Sequence, residues 1–180
     1  MGLDMYLRKH IYVQNWEHMA PEERTQVSVI RNGKPLASVN PEKVSYIVQD
    51  VMTWRKANQI HNWFVTNIQE GNDDCKEYYV DEDSLQELLN KCKEALLVIN
   101  NAPVVFTKVK TGWNSNGETY DDIPTYDCKD EIDEILPPTR GFFFGSTEID
   151  EWYKQDLERT IEMLEPELAS GGDFYYSSSW

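Results

Sequence analysis

No stretch of this chain approaches the ~20 apolar residues that a membrane-spanning helix needs. The opening, MGLDMYLRKH, has no apolar block ahead of a cleavage site and does not read as a secretion signal, and Tyr6 breaks the myristoylation pattern. Cysteine is scarce: Cys75, Cys92 and Cys128 are odd in number and far apart, and no CxxC, HExxH or Cys/His pair stands at ligand spacing. These absences predict free thiols in a reducing cytoplasm, no membrane contact, no structural zinc or other metal, and no cofactor. Basic charge is short as well. Seventeen Lys and Arg face 32 Asp and Glu, for a formal charge of −15. That balance opposes direct binding to nucleic acid, which needs a basic face. It allows a well-solvated surface, or contact with a basic partner protein.

What is present suffices for one domain over residues 1–180. Hydrophobic residues make up 40% and aromatics 12%, so a real core is within reach. Leu3 to Val13 alternates loosely and is rich in β-formers, which predicts an opening strand. Pro21-Glu22-Glu23 reads as one helical turn, and Asn32-Gly33 between Val27–Ile30 and Leu36–Val39 reads as a hairpin. Asn40-Pro41-Glu42 looks like a helix start, running to about Gln69 with Gly71 as its stop and a possible break near Asp50. A second helix should begin near Asp83 with Leu85, Leu88, Leu89, Cys92, Leu96 and Ile99 on its apolar face. Val104–Val109 reads as a strand. Glu118 to Glu134 holds eight acids against the single base Lys129, so residues 112–135 read as an acidic exposed loop or insertion. Gly141–Gly145 reads as a buried strand or turn. Ser146 or Thr147 should cap a third helix whose apolar face is Ile149, Tyr153, Thr160, Leu164 and Leu168. The aromatic tail from Phe174 reads as a closing strand with Trp180 docked. Mixed elements without βαβ alternation predict an α+β fold: a small, mostly antiparallel sheet packed against about three helices.

The most informative local feature is polar. Ile47, Val51, Trp54, Asn58, His61, Val65 and Ile68 recur at steps of four and three, one stripe of a helix. Asn58 and His61 interrupt it, and Arg55 and Asn62 flank it. A buried amide or imidazole without a partner costs about 1–3 kcal/mol, so either another part of the chain or a ligand must satisfy them. Arg forks to carboxylate or phosphate, Asn reads an amide or ring edge, and Trp54 can stack on a flat ligand. A second constellation is Arg140 with Ser146 and Thr147 after Gly145, where free N–H groups at a helix start would face an anion. No GxxxxGK[ST] accompanies it. Cys75 could pair with His61 as nucleophile and base if the chain folds back. Trp63 falls opposite the apolar stripe and must meet a second layer, a subunit or a ligand; an exposed Trp in a homo-oligomer contact is the economical reading.

Five strings, MGLDMYL, WRKANQIHNWFV (54–65), GNDDC (71–75), LPPTRGFFFGSTEIDEWY (136–153) and the terminal SSSW, resemble a family of small phage- and prophage-encoded proteins with no established activity. The resemblance implies a phage accessory product in the host cytoplasm, of the counter-defence kind. Joined to the polar patch, it leads to one expectation: capture, without turnover, of a small anionic, nucleotide-derived ligand by Trp54, Arg55, Asn58, His61, Asn62, Arg140, Ser146 and Thr147. Two alternatives stay open. One is an acidic inhibitor of a basic host protein, or nucleic-acid mimic. The other is a hydrolase using His61.

Overall fold

Alternation in the first strand sets the sheet. Met5, Leu7 and Lys9 point into the core while Tyr6, Arg8 and His10 stay half-exposed, the period-two pattern of a strand covered on one face. The computed structural model describes residues 2–115 and 117–180. Along the chain come β1 (Asp4–Tyr12), the short pair β2 (Ile30–Arg31) and β3 (Lys34–Pro35), β4 (Tyr46–Arg55), α1 (Asn58–Asn67), β5 (Tyr78–Val80), α2 (Glu82–Asn101), the ribbon β6 (Val104–Asn114) and β7 (Gly117–Tyr126), α3 (Lys129–Ile135), α4 (Glu151–Ser170) and β8 (Asp173–Ser179). The main sheet has the order β4-β1-β8-β5, antiparallel throughout. The architecture is α+β, with four helices instead of about three.

One face of the sheet carries the core. Met5, Leu7, Met52, Trp54, Val80, Phe174 and Tyr176 bury against Ile60, Phe64, Leu85, Leu88, Leu89, Cys92, Leu157 and Leu164 from α1, α2 and α4. Phe64 stacks on Tyr176 with ring centroids 3.8 Å apart, and Trp54 Nε1 donates to Thr160 Oγ1 at 2.8 Å, tying β4 to α4. A bulge between Leu7 and Arg8 lets Val51 and Met52 both face inward. Lys9 sits on the buried face at the sheet's end, where its ammonium donates to Ser170 Oγ and Glu167. Cys92 is core filler, and burial raises its thiol pKa far above the ordinary range. The opposite sheet face is open and aromatic, with His10 stacked on Tyr175 and Tyr12 edge-on to Tyr46.

Four expectations need correction. The long helix from Asn40 does not form. Asn40 caps only the 3₁₀ turn Pro41–Lys43, and Tyr46–Arg55 is strand β4, because ten residues rich in Ile, Val, Thr and aromatics pair with β1. Steps of four and three over so few residues fit either period. The acidic stretch is ordered: β7 and α3 account for most of it, and the β6–β7 ribbon stands out with Phe106 and Trp113 exposed. Trp63 is only 6% exposed, since α2 and the 134–137 stretch close over that side of α1; it offers no oligomer contact. Ser146 and Thr147 do not cap the last helix. Asp150 does, its carboxylate accepting from Trp152 N and Tyr153 N, so those helix-end donors are not free for an anion. The opening strand, the Asn-Gly hairpin, α2, α4 and the closing strand follow the sequence reading, although the hairpin strands are only two residues each. Trp180 is half docked: Nε1 donates to Asp73 and the ring meets Phe144 edge-on, yet half its surface stays exposed.

Replacing Thr160 with Val keeps the shape and removes the acceptor of the buried Trp54 N–H. The expected loss is about 1–3 kcal/mol, read as a lower urea midpoint at unchanged slope.

Candidate functional site

Asn58 and His61 are buried, at 2% and 1% exposure, and the protein itself satisfies both. The Asn58 amide donates to Phe144 O at 3.2 Å and Ser146 O at 2.7 Å, while its Oδ1 accepts from Thr139 N at 3.1 Å. Asn62 donates to Pro137 O. These bonds clamp the 137–146 segment onto α1. His61 lies between Tyr176 and Asp73: Nδ1 is 2.8 Å from the phenol oxygen and Nε2 is 3.0 Å from the carboxylate. A carboxylate only accepts, so the Nε2–H donates to Asp73, while Nδ1 shares a hydrogen bond with the Tyr176 hydroxyl. Burial raises the Tyr176 pKa beyond its usual range, with the Asp73 charge adding to it. Both contacts lie in the interior, with His61 at 1% exposure. Its acidic partner is Asp73; Cys75 is exposed and makes no hydrogen bond among the described residues.

The clamp builds one wall of a cleft of about 490 Å³ between the β4–α1 corner and the start of α4. Its lining is Arg55, Lys56, Gln59, Gly145, Ser146, Glu148, Asp150, Trp152, Tyr153, Asp156 and Arg159. The corner is sharp because Lys56 adopts a left-handed φ of 62° between strand and helix, which leaves the Arg55 and Lys56 side chains exposed at the cleft. Gly145 packs against that corner. Its φ is +96°, and a Cβ there would stand 3.2 Å from Lys56 Cβ, so glycine is required. On α4, Trp152, Asp156 and Arg159 recur at steps of four and three and share a face. Trp152 is 75% exposed at the cleft.

Electrostatics single out Asp156. Its carboxylate accepts one long bond, 3.4 Å from Gln59 Nε2, and burial raises its pKa to about 6; the Gln59 bond and Arg159 pull it down, and Asp150 pushes it up. Arg159 and Lys56 make no ion pair among the described residues, and Arg55 meets Asp4 only at 3.8 Å. Three cations therefore meet three carboxylates, Glu148, Asp150 and Asp156, at one cleft in a chain of charge −15.

Of the residues expected from sequence, Arg55 and Ser146 line this cleft. Asn58 holds its wall from behind. His61 and Trp54 lie in the core, Asn62 borders a separate shallow groove, and Arg140 and Thr147 lie outside the lining. Sequence reasoning missed Lys56, Gln59, Trp152, Asp156 and Arg159. Trp152, Asp156 and Arg159 form a second stripe on α4, beside its apolar one, at steps of four and three. No family model, curated protein or solved structure matches the chain.

A carboxyl raised to about 6 when folded, against 3.8 in the open, binds a proton in the folded chain that the unfolded chain has released. Stability from this group therefore falls as pH rises from about 4 to about 6. Asp156→Asn should remove that fall, gaining on the order of 2–3 kcal/mol over wild type at pH 7 and nothing near pH 4. Urea midpoints of both proteins from pH 4 to 8 measure the difference.

Proposed function

We propose that this chain captures a small anionic, nucleotide-like ligand in the α1–α4 cleft without turning it over. The observation that carries the reading is the convergence of Arg55, Lys56 and Arg159, none of them in a close ion pair among the described residues, on a concave site. Guanidinium and ammonium groups suit phosphate oxygens, and the exposed Trp152 ring supplies a stacking surface for a flat group. A cleft with a few convergent polar groups is the usual form of a small-ligand site. The reading as a phage accessory protein of the counter-defence kind, working in the host cytoplasm, rests on the resemblance of the quoted strings alone. No helix among the described residues is long and apolar enough to cross a membrane.

A second reading, binding to a basic host protein, is favoured by the β6–β7 ribbon. It carries Glu118, Asp121 and Asp122 beside the exposed Phe106 and Trp113, and a two-stranded ribbon left alone in water is marginal.

Thermal melts with AMP, GMP and inorganic phosphate test the first reading. A nucleotide at a hundredfold excess over its Kd stabilises by about 2.7 kcal/mol, a rise of roughly 5–10 °C for a chain of this size. Arg159→Ala and Arg55→Ala should abolish the rise, Arg140→Ala should keep it, and the nucleotide should be recovered chemically unchanged. No rise with any of the probes overturns the reading.

A further inference from the structure

The cleft contains an unmet requirement of its own. Asp156 faces it with a carboxylate that has room for about four hydrogen bonds and takes one long one, from Gln59 Nε2 at 3.4 Å. Gln59 is itself buried and lines the same cleft. Asp150, the buried acid of the lining, is already committed to the helix cap. A ligand that fills the cleft and displaces water from Asp156 must therefore bring donors to it. Arg55, Lys56 and Arg159 stand around the same space, beside Glu148 and Asp150, and suit a ligand that also carries an anionic group. Neutral donors on a flat ring, carried by a molecule with an anionic tail, satisfy both demands.

Among the common nucleobases one edge fits. Guanine places N1–H and the N2 amine side by side, two neighbouring donors that a single carboxylate accepts together. Adenine and cytosine present one amine beside an acceptor nitrogen, and uracil one N–H between two carbonyls, so each turns a lone pair toward Asp156. Resting on the nucleotide-binding reading above, we infer that Asp156 is a specificity residue that selects the 2-amino-oxopyrimidine edge of a guanine nucleotide. Trp152 then stacks on the ring, the half-exposed Glu148 is suited to ribose hydroxyls, and the three cations take the phosphate. Bidentate bonds to a charged acceptor are among the strong ones, and a carboxylate that already costs stability when empty loses part of that cost on meeting donors. Pterins carry the same edge, so the chemistry is shared by two sources.

Titration calorimetry on the full chain with GMP, AMP, XMP and pterin-6-carboxylate tests this. GMP should bind about tenfold or more tightly than AMP. Asp156→Asn should reverse the order in favour of XMP, whose 2-carbonyl accepts from the new amide; that variant is expected to fold, being relieved of a desolvated charge. Tighter binding of the pterin, lost in Asp156→Asn, supports the edge and assigns it to that source. Equal affinity for GMP and AMP, or a GMP preference that survives in Asp156→Asn, overturns the inference and leaves the anion-binding reading standing. Binding of none of these probes overturns both.

Discussion

The Asn58 carboxamide holds the molecule's loop segment to its helical layer. One short, buried side chain bonds three backbone groups, Thr139 N, Phe144 O and Ser146 O. Buried backbone groups must be paired, and the 137–146 segment has no strand or helix of its own to pair them. Without the amide, its carbonyls would be stranded against the core. One turn further on, His61 does the same for the other end of the chain, joining α1 to β8 through Tyr176 and to the 73–75 loop through Asp73. The stacked Phe64–Tyr176 rings lock the same junction by apolar contact. Segments more than a hundred residues apart in sequence thus meet on one helix of ten residues.

The cleft is a by-product of that clamp. Holding Gly145 and Ser146 against the β4–α1 corner leaves a hollow in front of α4, and the left-handed turn at Lys56 puts two cations at it. Desolvation of Asp156 works against folding, and an uncharged residue of the same size would serve the scaffold better.

Much of the fold was legible in sequence because local chemistry forced it. Asn32-Gly33 has to turn, since positive φ at both residues suits the twist of a hairpin. The heptad-like run from Leu85 to Ile99 can bury one face only as a helix. The Tyr46–Arg55 strand was misread because its apolar residues satisfied both periods, and only pairing with β1 decided between them. The acidic stretch was misread for a different reason: charge describes a surface, and an exposed ribbon carries it as readily as a loop does. The candidate site was legible in part. Arg55 and Ser146 were identified, and so was the burial of Asn58 and His61.

The sequence alone determined an α+β chain with mostly antiparallel strands and a polar pair, Asn58 and His61, set among apolar residues, because those properties follow from side-chain volume, periodicity and charge within short windows. Whether that pair faced a ligand or the chain itself depended on what came to lie opposite it. Only the tertiary structure could decide that, since the partners Thr139, Phe144, Ser146 and Tyr176 lie between 81 and 115 residues away, and no local pattern records which distant backbone a hydrogen bond will find.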